Sequence, residues 1–340
     1  MTRKKIYIAY TGGTIGMQKT AEGYVPLAGF MEQRLASMPE FSDTAMPNYD
    51  FCEYQPLIDS ANMNPEHWQR MADDIKRRYA DYDGFVVLHG TDTMAFTAAA
   101  LSFMLEGLNK PVLITGSQIP LAELRSDGKT NLLNALYIAA HYPINEVGLF
   151  FNNRLYRGNR ASKVHADGFH AFDSPNFPPL LKAGIHISLD AGQLGEPSHH
   201  RLTVSTMEPQ PIAVVTMYPG ISTQLIANSL QPPVKAALLL SYGVGNAPQS
   251  EALLNLLAKL SAQGMVIVNL TQCQQGGVDM ETYAPGHALA KAGVISGFDM
   301  TLEAALTKLH YLLSKHLSPA RVRELMIQNL RGELSQVGNS

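Results

Sequence analysis

An apolar, β-rich run that breaks off in glycine and a hydroxyl residue occurs three times within the first 118 residues of this chain. The first is Ile6-Tyr7-Ile8-Ala9-Tyr10-Thr11-Gly12-Gly13-Thr14-Ile15-Gly16. The second is Gly84-Phe85-Val86-Val87-Leu88-His89-Gly90-Thr91-Asp92-Thr93-Met94, in which a carboxylate follows the threonine directly. The third is Pro111-Val112-Leu113-Ile114-Thr115-Gly116-Ser117-Gln118. Continuous apolar runs of this length read as strands buried on both faces, the mark of a parallel sheet. In an open α/β sheet, ligands bind at the carboxyl ends of the strands. Gly12 and Gly13 let backbone approach a ligand and leave N–H groups free to point at it. Taken alone, the first stretch reads equally well as an ordinary Gly-rich turn. Its spacing is not G-x-G-x-x-G and no lysine follows as in a P-loop, which disfavours a nucleotide site. The recurrence is what tips the balance. A sheet without catalytic work has little reason to gather Thr14, Thr91 and Ser117 at one edge.

Strand-helix alternation with short connections predicts a doubly wound, mostly parallel sheet with right-handed crossovers. Tyr49 to Tyr54 is the next strand. Asn64-Pro65-Glu66 then opens a helix with a cap residue, a proline at the first position and an acid in the first turn. That helix runs to about residue 81, with Trp68, Met71 and Ile75 on one stripe. Asp92 to Leu105 is a helix apolar almost all round, and Ser126 to His141 is another. Val147 to Phe151 is a strand, followed by a hairpin turn at Asn152-Asn153-Arg154. The polar stretch Met17 to Ala28, with Tyr24 inside it, is too long for a simple turn and reads as a lid or as a loose surface loop. The expected organisation is a larger N-terminal α/β domain over 1–190, a polar, aperiodic linker over 191–210, and a smaller α/β domain over 211–340. In that second domain, runs near 212–217, 234–240 and 265–270 read as strands. Helices are expected near 249–262, 301–314 and 319–329.

With 340 residues, 46% of them hydrophobic and 16% charged, the chain supports two cores of ordinary globular composition. A formal net charge of -3 invites neither nucleic acid nor an anionic membrane. No apolar run reaches the roughly 20 residues that span a bilayer. The basic start, Met1 to Lys5, precedes an apolar run too short for a secretory signal, and cleavage there would destroy the strand that carries Thr14. Cys52 and Cys273 form no disulfide framework. The expected location is therefore cytoplasmic.

A threonine hydroxyl is a weak nucleophile at neutral pH and needs a base beside it. Lys163, with Thr91 and Asp92, can form such a base. A desolvated lysine accepts a proton directly or through a second hydroxyl, and a carboxylate holds it in place. By spacing alone Lys163 reads equally as a solvated surface charge. His165-Ala166-Asp167-Gly168-Phe169-His170 offers two imidazoles and an acid without a further ligand cluster, which disfavours a metal. His89 reads as a satisfied structural histidine and Trp68 as core.

The runs IAYTGGTIG and GFVVLHGTDTM resemble the two signature motifs of the bacterial-type L-asparaginases. The likeness continues through Arg157-Gly158-Asn159-Arg160-Ala161-Ser162-Lys163 to Asn329-Leu330-Arg331-Gly332-Glu333 and covers nearly the whole chain. It is nearest to the cytoplasmic type I enzymes. The resemblance implies that Thr14 attacks the side-chain amide of L-asparagine, with Thr91, Lys163 and Asp92 as the supporting triad. It implies that Asp59, Ser60, Ala61 and Asp92 bind the α-amino and α-carboxylate end. Backbone N–H groups near Gly90 and Thr91 would stabilise the oxyanion, and Tyr24 would be the lid tyrosine. Gln118 lies near the same edge, as a substrate contact or as a brace for its loop. No metal or organic cofactor is implied. Assembly as a homodimer or a dimer of dimers is implied, with Asn246 reaching the neighbouring subunit's site. Ala61 stands where many periplasmic members have glutamine, which leaves relative glutaminase activity open. Leu240 stands before Ser241-Tyr242-Gly243-Val244-Gly245-Asn246, where some cytoplasmic members are described with an arginine serving a second, effector asparagine site. A bidentate carboxylate ligand is missing there, so allosteric control is expected to be weak or absent. Two other readings stand beside this one. One is the amidase subunit of a tRNA-dependent amidotransferase, disfavoured because the first residues enter the fold directly. The other is a catalytically silent amino-acid sensor, disfavoured by the intact set Thr14, Thr91, Asp92 and Lys163.

Overall fold

Strand β1 (Lys5–Tyr10) is buried from Ile6 onward, as an uninterrupted apolar run must be when its sheet is covered on both faces. It pairs in parallel with β2 (Asn48–Glu53) on one side and β3 (Gly84–Leu88) on the other. Beyond β3, β4 (Val112–Thr115) and β5 (Val147–Phe151) extend the parallel array. Asn152 and Asn153 then adopt φ of 46° and 63°, the left-handed pair that closes a tight hairpin, and β6 (Arg154–Arg157) returns antiparallel. With β7 (Leu181–Ala183) and β8 (Ile187–Leu189), the eight strands run in the order β8-β7-β6-β5-β4-β3-β1-β2. The chain leaves β1 for β2 and then crosses back to β3. The strand order therefore reverses between β1 and β3, which opens a crevice at their carboxyl ends.

In this computed structural model, residues 3–21, 23–282 and 284–335 are described, and the chain divides into two compact units, Met1–Ser205 and Thr206–Ser340. Four helices accompany the first sheet: α1 (Phe30–Ala36), α2 (Pro65–Arg78), α3 (Met94–Met104) and α4 (Gly128–His141). Ile6, Ile8, Val86 and Leu113 meet Leu132 and Leu136 of α4 together with Met31 and Leu35 of α1. α3 has no polar face and buries ten of its eleven residues. α2 begins as its sequence dictates, with Asn64 Oδ1 accepting from the His67 N–H at 3.0 Å and Pro65 in the first turn. It stops at Arg78, three residues before the expected end. Within 17–28, Met17–Thr20 pairs antiparallel with Gly23–Pro26, with Tyr24 opposite Lys19. Inside 191–210, Thr203–Val204 pairs antiparallel with Leu105–Glu106. α1 has no counterpart in the sequence reading, because seven residues are too few to show a period.

The second unit holds a four-stranded parallel sheet, β9 (Ile212–Thr216), β10 (Ala236–Ser241), β11 (Val266–Thr271) and β12 (Ile295–Ser296), in that order. Its helices are α5 (Thr223–Ser229), α6 (Glu251–Ala262), α7 (Ala284–Lys291), α8 (Leu302–Ser314) and α9 (Pro319–Met326). α6, α8 and α9 fall where the apolar periodicity puts them. α5 is short and α7 carries Pro285 and Gly286, so neither shows in the pattern. The fold class is thus the expected one: a doubly wound, mostly parallel sheet in one unit and a smaller α/β unit after it. Both cysteines are free, and no described helix is long and apolar enough to cross a membrane.

Two buried polar clusters tie elements together, and each predicts a measurable stability. The first joins α2, α3 and the end of β3. Trp68 Nε1 donates to Thr97 Oγ1 at 3.0 Å, Thr97 Oγ1 lies 2.9 Å from His89 Nε2, and His89 Nδ1 lies 2.7 Å from the Gly90 carbonyl oxygen. A carbonyl only accepts, so His89 carries its proton on Nδ1 and takes one from Thr97 at Nε2. Full burial pushes the imidazole pKa from 6.5 down to about 4. A pKa depressed in the folded state means that the unfolded chain binds the extra proton between pH 6.5 and about 4. Stability is therefore lost as pH falls through that window, by at most about 3 kcal/mol. Urea unfolding across this range should show the loss in the wild type and lack this component in His89→Gln. The second cluster pins the C-terminal segment. Lys308 and Glu333 are both fully buried, with Nζ–Oε1 at 2.5 Å. Lys308 also donates to the Met326 and Gln328 carbonyls, while Glu333 accepts from the Leu330 and Arg331 N–H groups. Removing one charge strands the other in the core, so Glu333→Gln should cost about 3–5 kcal/mol in urea unfolding. Lys308→Met combined with Glu333→Leu should cost less than that single change.

Candidate active site

The crevice is built by backbone before any functional side chain enters it. At the end of β1 the Thr11 N–H and Thr11 Oγ1 both donate to the Leu88 carbonyl, at 3.0 and 2.8 Å, and the Ile58 N–H donates back to the Thr11 carbonyl at 2.7 Å. The ends of β1 and β3 and the loop after β2 are thereby drawn together. Gly12 and Gly13 have φ of 135° and 91°, conformations costly for any residue with a Cβ. A Cβ on Gly12 would collide with the Ile58 carbonyl, and one on Gly13 with the Gly90 backbone. The double glycine is thus demanded twice, by dihedral angle and by close approach. It delivers Thr14 into a single 3₁₀ turn, Thr14–Gly16, where Thr14 is half-buried.

Three other segments meet this turn. Asp59 caps the 3₁₀ turn Ser60–Asn62 by accepting from the Ala61 N–H at 3.1 Å. Ser60 is buried, its carbonyl accepts from Thr93 Oγ1 at 2.7 Å, and a Cβ on Gly90 would collide with its hydroxyl. Asp59 and Ala61 are exposed. After β3, Gly90 and Thr91 are buried while the Asp92 carboxylate is 64% exposed. After β4, Asp127 accepts from the Gln118 and Ile119 N–H groups at 3.0–3.1 Å and so fixes the Ser117–Ile119 turn.

Lys163 reaches this edge from a two-stranded ribbon, Ser162–Lys163 against Phe172–Asp173. Its side chain is only 19% exposed. The ammonium donates to Thr91 Oγ1 at 3.0 Å and to Asp92 Oδ1 at 2.7 Å. Of its two sequence readings, the solvated surface charge is therefore the one the structure does not support. Thr91 Oγ1 in turn donates to Gln118 Oε1 at 3.2 Å. The structure thus gathers Thr14, Asp59, Ser60, Ala61, Gly90, Thr91, Asp92, Gln118 and Lys163 around the carboxyl ends of β1 to β4. Tyr24 stands 47% exposed on the strand Gly23–Pro26, which lies alongside the Thr14 turn. Asn246 belongs to the second unit, where it closes a turn with Tyr242 through paired backbone hydrogen bonds of 2.8 Å. Among the described residues, no group of three His, Cys, Asp or Glu is placed to hold a metal ion. His89 and Trp68 are the satisfied core residues expected of them. Asp127, which steadies the Gln118 turn, escaped the sequence reading. Its signal was Ser126-Asp127-Gly128 at the start of a helix.

A threonine-bearing turn, a buried hydroxyl, a lysine and a carboxylate thus meet at one sheet edge. The family model for the asparaginase N-terminal domain matches residues 5–193, and that for the glutaminase/asparaginase C-terminal domain matches residues 211–326. L-asparaginase 1 of Escherichia coli strain K12 is 63% identical over 335 residues, covering 98% of this chain and 99% of that protein. The crystal structure of L-asparaginase I from Vibrio cholerae superposes with a TM-score of 0.93 at 61% identity, over 98% of this chain and 100% of the other. The thermostable L-asparaginase from Thermococcus kodakarensis superposes with a TM-score of 0.89 at 30% identity, over 98% and 99%. By fold, by both family models and by identity across nearly its whole length, this chain belongs to the asparaginase family of amidohydrolases.

Proposed function

We propose that this protein is an L-asparaginase that converts L-asparagine and water to L-aspartate and ammonia through a threonine nucleophile. The observation that carries the reading is Lys163, held on both Thr91 Oγ1 and Asp92 at the edge where the Gly12-Gly13-Thr14 turn abuts Gly90. In its neutral form Lys163 accepts the Thr14 proton by way of the Thr91 hydroxyl as Thr14 Oγ1 attacks the side-chain carboxamide carbon. The carbonyl oxygen becomes an oxyanion, stabilised by backbone N–H groups near Gly90 and Thr91. The relay returns the proton to the leaving nitrogen, the C–N bond breaks, and ammonia departs from a β-aspartyl ester on Thr14. Water then attacks the ester carbon, gives a proton back through the same relay, and releases aspartate and the free hydroxyl. The reaction uses no metal or organic cofactor.

Selectivity for an α-amino acid follows from the charges at the open end. Asp92 and Asp59 receive the α-ammonium group, and Ser60 with the backbone near Ala61 receives the α-carboxylate. The antiparallel pair carrying Tyr24 closes as a lid and shields the intermediate from stray nucleophiles. The protein works in the cytoplasm as a homodimer or a dimer of dimers, with Asn246 contributing to a neighbouring subunit's site.

Ammonia release from asparagine over a concentration series tests the reading. The wild type should turn over, and Thr14→Ala should lose at least about a thousandfold in kcat. A folded wild type without activity would favour the silent sensor or the partner-dependent amidase. The curve shape carries a second expectation. Leu240 supplies no guanidinium for an effector carboxylate, so the dependence on asparagine should be hyperbolic. Sigmoidal kinetics from the pure protein would show that effector control survives without that arginine.

A further inference from the structure

We infer that His89 is a positioning residue for oxyanion stabilisation: it fixes and polarises the peptide group whose N–H is the Thr91 donor. The inference rests on the asparaginase reading and adds to it a residue acting through the backbone. His89 Nδ1 lies 2.7 Å from the Gly90 carbonyl oxygen. His89 is fully buried, so this carbonyl points into the protein. A peptide group is planar and trans, with its C=O and N–H directed oppositely. Anchoring the Gly90 carbonyl behind the turn therefore aims the Thr91 N–H away from His89. Among the described residues that N–H has no acceptor. Buried backbone donors are nearly always paired, and Thr91 is only 7% exposed. A free N–H at the end of β3, on the turn that Gly13 abuts, is a donor kept for a ligand.

Every proton behind this turn has one direction. Trp68 Nε1 can only donate, and it donates to Thr97 Oγ1 at 3.0 Å. Thr97 has a single hydrogen of its own, and His89 Nε2 lies 2.9 Å from the same oxygen. The Gly90 carbonyl only accepts, so Nδ1 carries the ring proton and Nε2 takes the one from Thr97. Burial keeps the ring neutral near pH 7 by pushing its pKa down to about 4. Three hydrogen bonds thus run the same way, from the indole to the Gly90 carbonyl. In a dry interior the members of such a chain polarise one another. A carbonyl that accepts strongly draws electrons from its own amide nitrogen, which makes the attached N–H a better donor. Negative charge reaches that N–H in both tetrahedral steps, attack by Thr14 and attack by water, and on the same oxygen each time. Whichever step limits the rate, the effect falls on kcat.

Two substitutions of opposite geometry, assayed on asparagine hydrolysis, test this. His89→Asn puts an amide N–H where Nδ1 stands and reaches no further. His89→Gln reaches the Nε2 position, toward Thr97, and offers nothing in the place of Nδ1. His89→Gln should lower kcat by about tenfold to a hundredfold. Its KM should change by less than about threefold, because the carbonyl of bound substrate carries no full charge. His89→Asn should recover kcat to within about threefold of the wild type. Each variant breaks one link of the buried chain, so a role in folding alone would lower kcat alike in the two. Equal losses, or an unchanged kcat in His89→Gln, overturn the inference. So does a rise in KM without a loss in kcat, which would place the effect on substrate binding. Thermal unfolding checks that the variants are folded. If either is not, Thr97→Val breaks the chain one link further back. It should lower kcat by about threefold to tenfold, and an unchanged kcat there overturns the inference likewise. Failure of the asparaginase reading looks different: the wild type itself, or Thr14→Ala, would give the wrong activity.

Discussion

Everything at the proposed site depends on how closely the backbone after β1 approaches the backbone after β3. Gly13 lies so close to Gly90 that a methyl group on Gly13 would strike the Gly90 backbone, while one on Gly90 would strike the Ser60 side chain. This contact sits where the strand order reverses, the one place in an open parallel sheet where neighbouring strand ends diverge to opposite sides and leave a crevice. The approach brings the Thr14 turn beside the Thr91 turn without either side chain having to span a gap. It is secured by ordinary backbone hydrogen bonds, from Thr11 to Leu88 and from Ile58 to Thr11. The site is therefore as rigid as the sheet that carries it.

Around that contact, polar groups are satisfied in layers. His89, Thr97 and Trp68 form a buried chain that ends on the Gly90 carbonyl and steadies the turn from behind. Asp127 holds the Gln118 turn from one flank, and Thr93 holds Ser60 from the other. Trp68, Thr97 and His89 are buried and each has a partner, because an unpartnered polar atom at this depth would cost as much as a lost hydrogen bond. Lys163 and Asp92 are treated differently. Their ion pair keeps one partner largely in solvent, which leaves a charged opening suited to a small zwitterion. Contrast Lys308 and Glu333 in the second unit, where both charges are buried and every donor and acceptor is spent on structure.

The parallel core was legible because its strands are apolar at every position, a pattern that only burial on both faces explains. β1, β3 and β4 show it, and so does α3, a helix without a polar side. Asn64-Pro65-Glu66 announced the start of α2, and Asn152-Asn153 announced the hairpin, since few other residues tolerate two successive left-handed conformations. The helices that escaped are α1, α5 and α7. Each has eight residues or fewer, and short amphipathic helices owe their existence to the surface they pack on rather than to their own period.

The residues themselves pointed to strand ends rich in glycine and hydroxyls at one edge, a matter of local backbone and side-chain chemistry, whereas the requirement for glycine at positions 12 and 13 comes from the close approach of Ile58 and Gly90. The motif likeness points to Thr14, Thr91, Asp92 and Lys163. Only the tertiary structure decided that Lys163, 71 residues from Asp92, touches both it and Thr91. Only it decided that Gln118 faces Thr91 while its amide hydrogens face the loop at 166–168. Hydrogen bonds of about 3 Å between segments far apart in sequence have no signature in the order of residues. They come from the register of a sheet and the path of a ribbon, which long-range packing sets.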